Sequence, residues 1–150
     1  LIAAGQEVGV PAQPYPVGVA AGIVSCDMDQ PGVLDVVVRG LQRYRILDSE
    51  VSSAGLITAR VEWLAEPAEV TLGGEFIRVV SVLAAIIADA GDRHFPPPLH
   101  LDQAGWVGMR LAEVLPIPLR ARQALMELDD PLSRVEIIQQ YLEQHGLARS

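Results

Sequence analysis

The stretch LDVVVRGLQRYRIL, residues 34–47, decides the predicted fold together with LITARVEWL, residues 56–64. Three valines at positions 36–38 run towards Gly40, and beyond it polar and apolar residues alternate as they do in half-buried strands. We therefore expect one strand, a bend at Gly40 and a second strand, with a third strand over the later stretch. The apolar sides of all three should face one core.

The flanking sequence predicts one more strand and a set of helices. Residues 17–26 are rich in valine, alanine and glycine, which is typical of a strand that another backbone approaches closely. Residues 27–32, DMDQPG, predict a turn. From about residue 75 the apolar residues follow helical spacing until Gly91.

Three further helix starts are predicted in the C-terminal part of the chain. Asp102 is a candidate N-cap, Pro118 begins the next helix, and Asp130 with Pro131 caps the last. Short connections make these helices a small antiparallel bundle. The glycines of Gly105-Trp106-Val107-Gly108 indicate a close helix contact. We expect inward-facing residues to include Val114, Leu119, Leu125, Val135 and Ile138, and outward-facing ones to include Arg120, Arg122, Gln123 and Glu127.

These segments resemble a known family. Residues 18–23, 39–46 and 59–64 look like the β-rich half of the substrate-binding domain at the N-terminus of Lon proteases, a domain that also exists as a stand-alone bacterial protein. The helical half of that family is similar to residues 106–116, 123–127 and 130–134. The segments occur in the right order over nearly the whole chain.

The resemblance implies an α+β fold, in which a PUA-like twisted β-barrel or sheet is followed by a C-terminal α-helical bundle. We expect a β-rich subdomain over residues 1–66 and a helical subdomain over residues 67–150, together forming one compact domain. In the family, a strand-rich segment and a short helix precede the position of Leu1, so the β-rich subdomain is expected to lack its first strands here, either because the numbering starts late or because the strands are absent.

The composition is that of an ordinary globular chain, with 150 residues of which 50% are apolar and 20% charged. A net charge of −8 disfavours nonspecific attraction to nucleic acid or to anionic lipid. The longest apolar run, residues 79–88, is about half as long as a membrane-spanning helix requires. We therefore predict a cytoplasmic protein without a membrane partner.

The basic residues are all arginine, and the sequence contains no lysine. A phosphate-binding P-loop, a Ser-Lys protease dyad and Schiff-base chemistry each require a lysine. No nucleophile-elbow pattern surrounds any serine either. The sequence therefore predicts a protein that is not an enzyme, with neither an ATPase nor a peptidase, no catalytic residue and no cofactor.

Two sets of reactive side chains receive structural interpretations. Cys26 is the single cysteine and lies in an apolar run, so we expect a small buried side chain. Candidate metal ligands crowd only at Asp92, His94, His100 and Asp102, where three prolines hold an extended segment without the fixed geometry of a metal-binding helix. We predict a rigid loop there and no metal site.

Two interpretations are open for the arginines in and near the predicted strands, which are Arg39, Arg43, Arg45 and Arg60. Arg43 and Arg45 share one strand face by alternation, and Tyr44 points to the other. A basic strand face is typical of nucleic-acid platforms such as PUA-type barrels, but this one has no aromatic side chain for base stacking. We favour a solvated face on which the arginines pair with Asp48, Glu50 and Glu62.

The function that the resemblance implies is a non-enzymatic polypeptide-binding module. Its partners would be unfolded proteins or protease clients, with a protease as a further partner. Such a module needs an exposed apolar patch or groove, which motifs alone do not locate. The alternative is a PUA-like RNA-binding or nucleotide-binding domain with a basic cleft and salt-sensitive binding. Monomer and homodimer are both open, and no binding residue is assigned.

Overall fold

A computed structural model of the chain describes residues 2–4, 12–91 and 94–146. The chain divides into two compact units, Leu1–Glu66 and Pro67–Ser150. All strands lie in the first unit and all helices in the second. The predicted α+β class, with strands followed by helices, is confirmed.

The first unit contains two antiparallel sheets. Strands β1 (Ile2–Ala4) and β2 (Gln13–Pro14) form the smaller one. Strands β3 (Val17–Gln30), β4 (Val33–Val51) and β5 (Ile57–Trp63) form the larger one in the order β3-β4-β5. The glycines and prolines of residues 5–16 predict a loop, of which residues 5–11 lie outside the described residues.

Strand β4 passes through Gly40 without interruption, so the predicted bend at this residue is wrong. Val19 pairs with Arg43 and Ala21 pairs with Gly40, so β4 has one residue more than β3 between these pairs. A β-bulge absorbs such an extra residue, and the ladder continues with a local change of direction and twist. The glycine therefore lies beside a bulge within one strand.

The turn between β3 and β4 is shorter than predicted. Pairing continues as far as Gln30 and Val33, so most of the DMDQPG segment belongs to β3. Only Pro31 and Gly32 form the turn, and Gly32 has a φ of 84°, which glycine adopts without steric cost. The two long strands form an extended hairpin, called the ribbon below.

The second unit is built from four helices. A 3₁₀ turn at Gly74–Phe76 leads into α1 (Ile77–Ala90), which ends at Gly91 as predicted. Helices α2 (Ala104–Val114), α3 (Leu119–Glu127) and α4 (Pro131–Gln144) follow. They enclose an apolar core whose most deeply buried members include Val79, Leu83, Val107, Leu111, Val135, Ile138 and Leu142.

Helical spacing predicts most, but not all, of this core. Val114 and Leu119 were expected to face inward, yet they are 36% and 50% exposed. Gln123 was expected outward, yet it is buried. Arg134 is a further buried polar side chain, and its Nε donates a hydrogen bond to the carbonyl oxygen of Leu125 at 2.8 Å.

The predicted close helix contact is confirmed at Gly108. A Cβ atom at this position would lie 3.0 Å from Cδ of Arg134 and 3.3 Å from Cγ2 of Val135. These distances are shorter than ordinary packing contacts, so a glycine allows the backbone of α2 to approach α4 closely.

The two predicted N-caps have different outcomes. Asp130 caps α4, because its Oδ2 accepts a hydrogen bond from the backbone N–H of Ser133 at 2.9 Å and Pro131 occupies the first turn. Asp102 does not cap α2, whose N-cap is Gln103 without a side-chain hydrogen bond. The N–H of Ala104 instead donates to the carbonyl oxygen of Val70 at 2.8 Å. A residue of the segment before α1 therefore accepts a hydrogen bond from the N-terminal end of α2.

The cap at Asp130 makes the stability of the helical unit depend on pH. Hydrogen bonds from the side chain and backbone of Ser133 lower the pKa of Asp130 from its ordinary 3.8. A lowered folded-state pKa contributes stability that is present above the unfolded pKa and is lost as the pH falls through the folded pKa. We expect Asp130→Ala to lower the thermal midpoint by a few degrees at neutral pH, measured by circular dichroism.

The difference from wild type should shrink once the pH is below the lowered pKa of Asp130. Asp102→Ala is the matched control, because this carboxylate caps no helix, and it should leave the midpoint nearly unchanged. A deficit in Asp130→Ala that stays constant between neutral and strongly acid pH would contradict the assignment.

Candidate functional site

The outer half of the ribbon exposes apolar side chains along its length. Strand β5 pairs with β4 only from Tyr44 to Val51, so the ribbon beyond that point has two strands. Its large aliphatic side chains range from 41% exposed at Val36 to 71% exposed at Ile23. The expectation that the apolar sides of these strands face a core is therefore wrong for this part of the sheet, where no third strand is paired among the described residues.

The hydrogen-bond register sorts these side chains into two faces, because cross-strand partners share a face and successive residues alternate. On one face Ile23 lies opposite Val38, and Cys26 lies opposite Val36. This surface, called the apolar face below, includes the uncharged residues Ala21, Ile23, Cys26, Leu34, Val36, Val38 and Gly40.

The opposite surface of the ribbon, called the mixed face below, has a different chemistry. Asp27 lies directly opposite Asp35, Gly22 lies opposite Arg39, and Ser25 lies opposite Val37. The three consecutive valines of the decisive stretch are thus divided between the two faces, two on the apolar face and one on the mixed face. Three β-branched residues in succession were the sequence signal that both surfaces of this strand carry apolar side chains.

Cys26 lies on the apolar face and is exposed, so the prediction of a buried side chain is wrong. The apolar run in which it occurs reflects the ribbon surface and not a core. Because it is the single cysteine, it provides a specific position at which occupancy of this face can be followed chemically.

The arginines do not assemble into one basic surface. Arg43 is buried, 2% exposed, so its predicted place on a solvated face is wrong. Arg45 is exposed with Glu62 as its cross-strand partner, and Arg60 lies opposite Asp48, so opposite charges alternate there. A continuous basic platform is therefore absent from the described part of the sheet.

An aromatic pair packs across the base of the ribbon, where all three strands are present. Tyr44 and Trp63 are cross-strand partners whose rings meet edge to face, with centroids 6.1 Å apart and planes at 85°. Gly18 is the partner of Tyr44 on the other side, and a Cβ atom there would lie 2.7 Å from Cζ of Tyr44. The Tyr44 ring therefore occupies the space above a glycine.

An apolar concavity lies within the helical unit, between α3 and α4. Its volume is about 290 Å³, and Tyr141 at its edge donates a hydrogen bond to the carbonyl oxygen of Pro116 at 3.0 Å. It is lined by Ile117, Ala121, Ala124, Leu125, Leu128, Ile137, Ile138 and Tyr141. This volume is at the lower end of the range for ligand pockets. The apolar face of the ribbon is therefore the main candidate for a binding surface.

The candidate metal ligands do not converge. Nδ1 of His94 lies 3.2 Å from the carbonyl oxygen of Ala90, and His100 packs edge-on against Trp106 with ring centroids 6.2 Å apart. Asp92 lies outside the described residues. Residues 12–91 and 94–146 contain no group of three or more histidine, cysteine or acidic side chains placed to hold a metal ion. None of the helices in the described ranges could span a membrane.

Comparison with known proteins finds one matching family and similar solved structures. The family described as the ATP-dependent protease La (LON) substrate-binding domain matches residues 2–144. The crystal structure of a Lon N-terminal domain protein from Xanthomonas campestris is similar, with a TM-score of 0.70 and 32% sequence identity over 85% of this chain and 69% of that chain. No curated protein sequence matches.

Proposed function

Because the chain belongs to the family of Lon substrate-binding domains, we propose that it binds unfolded segments of other polypeptides on the apolar face of the ribbon. The family is a substrate-binding and non-catalytic one. With residues 2–144 assigned to this domain, the 150 residues leave no room for an ATPase or a peptidase. Three points are proposals for this chain: that its substrates are unfolded polypeptides, that the apolar face binds them, and that the protein is cytoplasmic.

The exposure of the apolar face is the observation that carries the proposal. Soluble monomers rarely expose a contiguous apolar patch larger than a few hundred Å², and larger patches mark interaction surfaces. A ribbon surface of aliphatic side chains suits an extended chain with apolar residues at every second position, because the spacing of side chains on both is the same. Unfolded proteins present such segments, whereas folded ones bury them.

The alternative of an RNA-binding domain has less support. Nucleic-acid affinity comes largely from arginine and lysine at phosphates. Here the net charge is −8, Arg43 is buried, and the exposed Arg45 and Arg60 alternate with acidic partners. RNA therefore serves only as a control ligand in the binding measurements.

Replacing valines on one face of the ribbon should reduce polypeptide binding. We expect Val36→Thr/Val38→Thr to weaken the binding of a labelled, permanently unfolded polypeptide about tenfold, because threonine keeps the shape and strand preference of valine but replaces a methyl group with a hydroxyl. The matched control, Val33→Thr/Val37→Thr, changes the same number of exposed valines on the mixed face. Its Kd from fluorescence anisotropy should stay within about twofold of wild type.

Cys26 supplies a second readout on the unmodified protein. A polypeptide bound on the apolar face should slow the alkylation of Cys26 by a maleimide. Equal losses of affinity in the two valine pairs, or unchanged alkylation at saturating polypeptide, would exclude this face. If Ala124→Gln abolished binding while both valine pairs retained it, the concavity between α3 and α4 would be the binding site instead.

A further inference from the structure

The outer half of β4 has a free edge. Strand β5 reaches only as far as Tyr44, and the N–H of Leu64 just beyond it donates to the carbonyl oxygen of Arg43 at 3.0 Å. From Gln42 to Val33, no strand of the described residues pairs with the β5 side of β4. The backbone N–H and C=O groups that point to this side are therefore available to another strand.

This edge of β4 is regular, whereas the outer edge of β3 is not. Two register shifts in the outer half of the ribbon, at Ile23–Ser25 and at Asp27–Gln30, each place the extra residue in β3. Bulges of this kind bend an edge strand and protect it from pairing with other chains. Residues 33–40 of β4 include no extra residue, so this strand offers the better edge for pairing.

The charges on this edge are arranged symmetrically about Val37. Asp35 and Arg39 lie two residues to either side of it on the mixed face, and both are exposed. On β3, the cross-strand partner of Arg39 is Gly22, which has no side chain, and that of Asp35 is Asp27, a like charge. Within the described residues, neither Asp35 nor Arg39 forms a salt bridge.

We propose that two copies of this chain pair antiparallel along the free edge of β4, with Val37 opposite Val37 of the second copy. This register places Asp35 opposite Arg39 of the second copy and Arg39 opposite its Asp35, so two ion pairs form on the mixed face. On the other face of the sheet, Val36 lies opposite Val38 of the second copy. The interface uses the same surface of both copies, as a closed dimer requires.

Charge specifies both the register and the occupant. A shift of two residues would place Asp35 opposite Val37 or Leu41 and would remove both ion pairs. A shift of one residue would bring the apolar face of one copy beside the mixed face of the other. A second copy carries an arginine and an aspartate at the two positions that neutralise Asp35 and Arg39, which an unrelated strand does only by chance.

The length of the free edge fits the same register. The edge is bounded by the turn at Pro31–Gly32 and by the end of β5, level with Arg43. With Val37 on the axis, Val33 of one copy pairs with Leu41 of the other, so each turn ends beside the last residues of the other copy's β5. Because about nine residues per copy would pair, fewer than the roughly 20–30 of a standard interface, we expect a reversible dimer with a micromolar Kd.

This dimer does not depend on the proposed function, but it would enlarge the proposed binding surface. A twofold axis perpendicular to the sheet keeps the apolar faces of both copies on the same side. Val36 and Val38 of the two copies would then lie side by side at the centre of a surface four strands wide.

Charge reversal tests the two ion pairs. Asp35→Arg and Arg39→Asp each replace both ion pairs with like-charged pairs, so each variant alone should dimerise at least about tenfold more weakly than wild type in analytical ultracentrifugation at low salt. An equimolar mixture of the two variants restores both ion pairs and should form heterodimers with a Kd within about threefold of wild type. Both variants keep a net negative charge, so general attraction does not explain such heterodimers.

Two further variants serve as controls for charge reversal. Asp35→Arg/Arg39→Asp exchanges the signs of both pairs and should dimerise nearly as well as wild type. Asp29→Arg makes the same charge change as Asp35→Arg, but on β3 and away from the free edge. It should leave the dimer Kd within about threefold of wild type and should not restore dimerisation to Arg39→Asp.

A cross-link tests the register independently of charge. Directly opposed residues of antiparallel strands have Cα atoms ~4.5–5.5 Å apart, which a disulfide can span. Val37→Cys in a Cys26→Ser background should therefore form covalent dimers on mild oxidation. Ser25→Cys in the same background changes the cross-strand partner of Val37 on β3, and it should cross-link at least about tenfold more slowly because it lies one strand further from the axis.

The other outcomes separate this inference from the proposed function. A chain that stays monomeric up to about 0.5 mM would overturn the dimer, while polypeptide binding on the apolar face is measured separately. Failure of the mixed variants to form heterodimers, or equal cross-linking at positions 25 and 37, would exclude the register. A dimer that survives charge reversal but is lost in Val36→Thr/Val38→Thr would show that the apolar faces pack together instead. Dimerisation without any polypeptide binding would contradict the proposed function alone.

Discussion

Replacing Arg134 with methionine should lower the free energy of unfolding of the helical unit by about 3 kcal/mol. Arg134 is 1% exposed, its Nε donates to the carbonyl oxygen of Leu125 at 2.8 Å, and its Nη2 donates to that of Leu128. These carbonyls lie at the end of α3, where a helix cannot provide its own donors. Methionine keeps an unbranched side chain but removes both charge-assisted hydrogen bonds.

The packing of the aliphatic part of the Arg134 side chain, called its stem below, should prevent a rearrangement that restores the lost free energy of unfolding. The stem packs against α2 at Gly108, so α4 is held between the backbone of one helix and the end of another. Arg134→Lys keeps the charge but not the forked geometry, and we expect it to lose about half as much stability. Unfolding in urea can be followed by the fluorescence of Trp106 in α2, with Trp63→Phe to remove the other tryptophan.

Arg110→Met is the matched control for this experiment. Arg110 pairs with Glu113 at 2.8 Å on the surface, and its side chain is 37% exposed. Such surface pairs contribute little, so we expect a change below about 0.5 kcal/mol. If Arg134→Met cost no more than Arg110→Met, the end of α3 would not depend on this guanidinium.

Adding a methyl group at Gly18 should destabilise the β unit by about 2 kcal/mol. The new Cβ atom would lie 2.6 Å from the hydroxyl oxygen of Tyr44 and 2.7 Å from Cζ of its ring. The ring cannot move freely, because its edge-to-face contact with Trp63 holds it on the other side. Unfolding of this unit can be followed by the fluorescence of Trp63 in a Trp106→Phe background.

Gly40→Ala provides the control on the neighbouring strand. Its Cβ atom would meet only Cγ1 of Val19, at an ordinary 3.5 Å, so we expect little loss of stability. Combining Gly18→Ala with Tyr44→Leu should relieve the overlap, and the two losses should sum to more than the loss in the double variant. Equal stability of Gly18→Ala and Gly40→Ala would contradict the assigned contact.

Local chemistry explains which parts of the helical unit were predictable from sequence. Asp130 followed by proline specifies a helix start through its own hydrogen bond, so the pattern and the structure agree. Gln123 and Arg134 are both polar and both buried, and only Gln123 was predicted to face outward. Arg134 has the same helical spacing from Ile138 as the apolar core residues have, and this spacing was the available signal. Arg134 can be buried because the carbonyl oxygens at the end of α3 accept its hydrogen bonds. No local sequence pattern predicts this contact between two helices.

The ribbon shows a different limit of sequence analysis. Alternation identifies which residues share a strand face, and it correctly separates Tyr44 from Arg43 and Arg45. It does not say whether another element covers that face. Cys26, Val36 and Val38 have the composition of a core and the exposure of a surface, because β5 ends before it reaches them. Burial depends on the lengths of neighbouring strands, and these emerge only from the folded register.

The like-charged pair of Asp27 and Asp35 on the mixed face also bears on the colloidal behaviour of the chain. A flat, uncharged aliphatic strand is the type of segment from which amyloid-like stacks grow. Asp27 and Asp35 lie on the mixed face of the same two strands, and charged residues within an apolar strand act as gatekeepers against aggregation in other proteins. Stacking two ribbons in register would superimpose their carboxylates. We therefore expect the like-charged pair to oppose the stacking of ribbons into fibrils.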